Sequence, residues 1–156
     1  MVDNNKLRIA IGCDHAGFNL KSLVIDFVKE LGHETLDLGT YDNSAVDYPD
    51  FAEKVGKALI NGDADRGILL CGSGVGASMT ANKIKGVYAG LCNDSYSAGQ
   101  GVEHDDMNVL CLGARIIGEE IAKACVTSFL NSEFSEVTRH KRRVKKMHDI
   151  EAKYFC

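Results

Sequence analysis

The 156-residue chain has one proline, no tryptophan and sixteen glycines. With Pro49 alone, no stiff proline-rich linker exists, and breaks between elements fall to glycine and short polar loops. No apolar run approaches the roughly 18 residues needed to cross a membrane. The first residues, "MVDNNKLRIAIGC", lack the basic-then-apolar layout of a secretory signal, so a cytoplasmic protein is expected. The six cysteines stand at 13, 71, 92, 111, 125 and 156 with no CxxC pair, which argues against a disulfide framework. Positive charge is not in excess either: 22 acidic against 18 basic side chains give a net charge of −4, which argues against generic nucleic-acid binding. No internal repeat or low-complexity segment interrupts the chain. Its length suits one domain over 1–156 with a sizeable core.

What is present alternates between short apolar runs and helical periodicity. "LRIAIGC" (7–13), "ETLDLG" (34–39), "RGILLCG" (66–72), "GVYAGLC" (86–92) and "MNVLCLG" (107–113) read as strands. Between the first two, Leu20, Leu23, Val24, Phe27, Val28 and Leu31 recur at helical spacing over 18–31. Helices are also predicted over 48–62, with Pro49 in the first turn, over 75–84, over 94–103 and over 119–133. In the last of these, Ile121, Ala122, Cys125, Phe129 and Leu130 face inward. A charged helix spans about 134–154. Cys92, Cys111 and Cys125 lie in apolar segments and read as core residues. Apolar strands alternating with helices imply an α/β fold, a parallel sheet covered on both faces.

Ligands of such folds bind beyond the carboxyl ends of the strands. After the third strand comes "CGSGVG". Gly72, Gly74 and Gly76 leave backbone N–H groups open ahead of a helix, a setting that favours negative charge. No Gly-Lys-Ser/Thr follows, so this is not a P-loop. Cys71 beside those donors suits a thiolate, as nucleophile or as general base. A Cys-x5-Arg phosphatase needs arginine where Ala77 stands, so that pattern fails. After the first strand, Asp14 and His15 can meet a hydroxyl and an anion, although Asp14 also fits a helix cap. His104 in "EHDDMN" is a candidate proton-transfer group. With Asp105 and Asp106 it lacks zinc-type spacing, and no metal is expected. "RHKRRVKK" (139–146) is either a solvated helix face or an anion site, with Arg139 and Arg143 one turn apart.

In this order, "GCDHAG", "DYP", "CGSGVG…ANK", "HDDMNVLCLGAR" and "RHKRR" resemble the ribose-5-phosphate isomerase B family over residues 7–150. The resemblance implies a three-layer α/β/α Rossmann-like sandwich with a five-stranded parallel sheet and an additional C-terminal helix. It implies aldose–ketose isomerisation of a sugar phosphate with no metal, nucleotide or other cofactor. It also implies a homodimer, sometimes paired into a homotetramer, whose sites are shared between subunits, with no nucleic acid or membrane partner.

By that resemblance Cys71 moves the proton between C1 and C2, and N–H groups around Gly72, Gly74 and Gly76 hold the enediolate oxygen. Ser73 assists at the substrate oxygens. His104, from the neighbouring subunit, opens the sugar ring, and Asp14, counted with the catalytic residues, and Tyr48 bind the sugar or help open it. His15, Arg139 and Arg143 bind phosphate, Arg115 joins from the partner, and His140 contributes further. The C-terminal helix serves the phosphate site and the dimer. Two departures stand out. Asp105 replaces the usual asparagine, which bears on sugar preference and keeps a hexose 6-phosphate, allose or galactose, as the alternative to ribose 5-phosphate. Ala77 stands where a cysteine-less branch carries glutamate, which places this chain with the cysteine-dependent branch.

Overall fold

In the computed structural model, residues 6–155 are described. Cys156 lies outside them. The elements are β1 (Arg8–Cys13), α1 (Phe18–Glu30), β2 (Glu34–Asp37), α2 (Tyr48–Ile60), β3 (Arg66–Cys71), α3 (Val75–Ala81), β4 (Ala89–Leu91), α4 (Ser95–Asp105), β5 (Val109–Gly113), α5 (Glu119–Asn131) and α6 (Thr138–Tyr154). All strand pairs are parallel, in the order β2-β1-β3-β5-β4. This is the expected five-stranded α/β sandwich.

Alternate strand residues serve two cores. Ile9, Ile11, Ile68, Leu70, Leu110 and Leu112 face α1, α4 and α5, where Val24, Val28, Val102 and Phe129 are buried. Ala10, Leu69, Cys71, Val109 and Cys111 face α2 and α3, against Val55, Ala77 and Ala81. The period-2 alternation of a strand fills both layers from one sequence run. Gly17 is bare because α1 starts against the β3 backbone: a Cβ there would run into Leu70.

Several expectations need correction. Ile121, expected inward, is half exposed, on the solvent side of α5, whereas Ala122, Cys125, Phe129 and Leu130 are buried. The strand expected over 86–92 keeps only Ala89–Leu91. Gly86 adopts φ 85°, and its N–H and carbonyl are taken by Glu151 and Asn108 rather than by a ladder. The third helix stops at Ala81, where Asn82 turns its amide back to the Ser78 and Ala89 carbonyls. The last helix starts at Thr138, not 134. The apolar stripe of α1 also buries Lys21, whose Nζ meets Asp37 at 2.9 Å and the Thr40 carbonyl at 2.6 Å. Among the described residues no helix is long and apolar enough to cross a membrane.

Candidate active site

From β1 the chain leaves in one direction to β2, and it returns to β3 on the other side. The ends of β1 and β3 therefore flank a topological switch point, where the connecting loops part and open a crevice. The loop after β5 closes its third side, since Cys71 pairs with Gly113. A cleft of about 410 Å³ sits there, lined by Asp14, His15, Tyr48, Cys71, Ser73 and Arg115 among others.

Backbone geometry holds each of these. Cys71 is the last residue of β3 and 5 % exposed. The Gly74 N–H donates to its Sγ at 3.0 Å, a dipole that favours negative charge on sulfur. Gly74 has φ 83°, and a Cβ there would collide with Leu91, so only glycine aims that N–H at the thiol. The Val75 N–H is taken by Ser73 Oγ at 3.3 Å. Among the described residues, the Gly72 and Ser73 N–H groups donate to no protein atom. The expectation that all the glycine N–H groups face a ligand is thus narrowed: the one on Gly74 serves the thiol.

Asp14 is 7 % exposed, and its Oδ1 accepts from the Gly17 N–H at 3.0 Å. It caps the turn into α1 and still lines the cleft. His15 Nδ1 lies 3.2 Å from both the carbonyl and the N–H of Val46, which ties the ring to the loop before Tyr48. The Tyr48 ring lies so close to Gly76 that a Cβ there would approach it to 2.7 Å. Arg115 donates its backbone N–H to the Gly72 carbonyl at 3.0 Å. Its guanidinium lines the cleft of its own chain, where the resemblance assigns it to the partner.

The other predicted residues gather elsewhere, and none of them lines this cleft. His104 and Asp105 close α4, with Asp106 as its left-handed cap at φ 56°. They close the helix that leads directly into β5. The His104 ring stacks on His140 with centroids 4.0 Å apart. His140 is buried within the otherwise exposed basic run of α6, and its Nδ1 lies 2.6 Å from Ser135 Oγ. Burial, His104, and the Arg139 and Arg143 guanidiniums hold His140 below the ordinary histidine value, against a smaller pull from Asp105. Arg139, His140 and Arg143 therefore travel with His104. Among the described residues no three His, Cys, Asp or Glu side chains form a group able to hold a metal ion.

Residues 9–147 match the family model described as Ribose/Galactose Isomerase. The chain belongs to this family. It is 43 % identical to ribose-5-phosphate isomerase B of Escherichia coli, over 92 % of this chain and 96 % of the relative. The solved structure of Clostridium thermocellum ribose-5-phosphate isomerase B aligns with TM-score 0.91 and 47 % identity, over 94 % of this chain and 99 % of that one. That of Mycoplasma genitalium, solved with bound ribulose-5-phosphate, aligns with TM-score 0.86 and 40 % identity, over 93 % and 96 %.

For this member of the ribose/galactose isomerase family, sequence reasoning missed two polar side chains, one buried beside the sheet and one in contact with a candidate residue. Lys21 was hidden because a lysine inside an apolar stripe reads as a polar interruption. Gln100, whose Nε2 lies 3.0 Å from His104 Nδ1, is four residues before it on α4. The i, i+4 spacing was a visible signal for that contact.

Proposed function

We propose that the protein interconverts D-ribose 5-phosphate and D-ribulose 5-phosphate through an enediolate, with Cys71 as the base. The observation that carries this reading is the Gly74 N–H on Cys71 Sγ at the mouth of the switch-point cleft. A proton next to a carbonyl leaves only if a base takes it and the developing oxyanion is stabilised. The Cys71 thiolate removes the proton from C2 of the open-chain aldose, and the electron pair forms the C1–C2 double bond. The Gly72 and Ser73 N–H groups are free for the enediolate oxygen; one such donor is typically worth about 100-fold or more in rate. The proton of the C2 hydroxyl passes to O1, C2=O forms as the double bond's electron pair takes the Cys71 proton at C1, and the ketose results. Asp14 accepts from a sugar hydroxyl, and Tyr48 bounds the far side of the cleft.

Ring opening and phosphate binding fall to His104, Arg139, His140 and Arg143, with Asp105 at the sugar. The stack of His104 on His140 favours one consequence: if His104 reaches a partner's cleft, Arg139 and Arg143 reach it too. The complete site then joins Asp14, His15, Tyr48, Cys71, Ser73 and Arg115 of one protomer to the imidazole–guanidinium cluster of another in a two-fold homodimer. This reverses the division suggested by the resemblance, in which Arg115 crossed the interface and Arg139 and Arg143 stayed. Phosphate is remote from the reacting carbons, so its binding energy positions them.

A panel of ribose 5-phosphate, allose 6-phosphate and galactose 6-phosphate, compared by kcat/KM, tests the substrate. Ribose 5-phosphate is expected to lead; a hexose 6-phosphate in the lead would transfer the same chemistry to a longer sugar.

A further inference from the structure

Helix α6 carries the basic cluster near one end and is tied to the sheet near the other. Its inner stripe is His140, Val144, Met147, His148 and Glu151, at helical spacing. Of its apolar side chains only Val144 is buried. Like charges oppose the helix as well: Arg139 and Arg143, Lys141 and Lys145, and Arg142 and Lys146 each stand one turn apart. Packing rather than propensity must keep such a helix ordered, and little of its packing is hydrophobic.

The hold is polar instead. At the N-terminal end it is the stack of His140 on His104, which belongs to the site. Roughly 16 Å further along the axis, Glu151 grips the segment before β4. Its Oε1 accepts from the Gly86 N–H and its Oε2 from the Tyr88 hydroxyl, both at 2.9 Å. At φ 85°, Gly86 turns that N–H out of the ladder. The Tyr88 ring stacks on His148, centroids 5.0 Å apart. His148 Nε2 is buried and has no hydrogen-bond partner among the described residues, so hydrogen bonding at this end falls to Glu151. Burial, and then the Glu151 carboxylate, push the Tyr88 phenol up to about 12, so it stays a donor at neutral pH.

We propose that Glu151 and Tyr88 are positioning residues that keep α6 docked and thereby set how tightly Arg139 and Arg143 hold phosphate. This rests on the reading that those arginines bind the phosphate of the sugar. Neither Glu151 nor Tyr88 lines the cleft around Cys71. The affinity of a ligand that needs the docked helix scales with the docked fraction. Loosening the far end lowers that fraction, and a saturating sugar phosphate restores it, so KM moves and kcat does not. By linkage, phosphate must in turn hold α6 down.

The test joins steady-state kinetics on ribose 5-phosphate to hydrogen exchange of α6 in the full-length protein, with and without inorganic phosphate at constant ionic strength. Tyr88→Phe keeps the ring stack, loses one hydrogen bond and is expected to raise KM about threefold. Glu151→Ala loses both bonds and is expected to raise KM about tenfold, with kcat within about twofold of wild type. Glu151→Gln keeps one carbonyl oxygen and should fall between them. Tyr88→Phe should add little to Glu151→Ala, because both remove the same bond. Phosphate should slow α6 exchange in wild type. The variants should exchange faster without phosphate and converge on wild type when it saturates. Unchanged KM in both Glu151 variants, kcat falling as far as KM rises, or light scattering that traces the rise in KM to subunit dissociation would overturn the proposal; Tyr88→Phe and Glu151→Gln keep the test open should Glu151→Ala fail to fold. Wild-type KM in both Arg139→Ala and Arg143→Ala would instead overturn the phosphate reading, and the proposal with it.

Discussion

The cleft around Cys71 is assembled by backbone, and the cluster around His104 by side chains. In the cleft, parallel register sets Cys71 against Gly113, a left-handed glycine aims an N–H at sulfur, and bare Gly76 admits the Tyr48 ring. In the cluster, two helices meet through stacked imidazoles whose inner nitrogens are engaged by Gln100 and Ser135. Preorganised backbone dipoles suit a reaction that develops charge at a fixed oxygen. Titratable rings on helix surfaces suit proton delivery and phosphate capture. The cysteines repeat the lesson. Burial pushes the Cys13, Cys92 and Cys125 thiols up to about 11, and Cys111 is raised further still. These are inert core thiols, whereas Cys71 alone of the described cysteines receives the Gly74 N–H.

The strongest way to break the contrast is Cys71→Ala. It is expected to lower kcat on the order of a thousandfold while costing about 1 kcal/mol of stability, measured by isomerase assay and urea unfolding. Cys111→Ala is expected to do the opposite, leaving kcat near wild type. Next, Arg143→Ala and Arg139→Ala are each expected to raise KM about 10-fold or more, since a charged hydrogen bond is worth about 1.5–3 kcal/mol. The loss should shrink for a substrate without phosphate. Gly76→Ala is expected to displace Tyr48 and lower kcat/KM about tenfold, with the melting temperature nearly unchanged.

The smallest effect is on pH-dependent stability. His140 and His33 are both held below the ordinary value of 6.5, each chiefly by burial. Below pH 6.5 the unfolded chain binds protons that the folded chain does not. Stability is therefore fully present above about 6.5 and falls as pH drops toward the folded values. Urea midpoints at pH 7.5 and 5.5 should diverge less in His140→Gln and His33→Gln than in wild type.

The backbone-built half was the more legible in sequence. Short continuous apolar runs pointed to the strands, and "CDHAG" and "CGSGVG" stood at the strand ends where the switch point opens. Strand order and the close approach at Gly74 were not readable, because they depend on pairing between distant segments. The side-chain half was visible only as residue types. That His104 stacks on His140 depends on how α6 lies on α4, which no local pattern carries. The same limit left Ile121 misassigned: with Ala122 beside it, the α5 periodicity fits two faces, and packing on the sheet chose the smaller residue. Lys21 went unread because its partners, Asp37 and the Thr40 carbonyl, are supplied by the end of β2 and the loop after it.

The division of the site between protomers is tested most directly by complementation. Cys71→Ala and His104→Ala subunits, each inactive alone, are co-refolded and assayed. In a two-fold dimer, random mixing makes half the dimers mixed, each with one intact site, so about a quarter of wild-type activity is predicted. No recovery from a mixture proven to contain mixed dimers would contradict the account, because both halves would then belong to one chain.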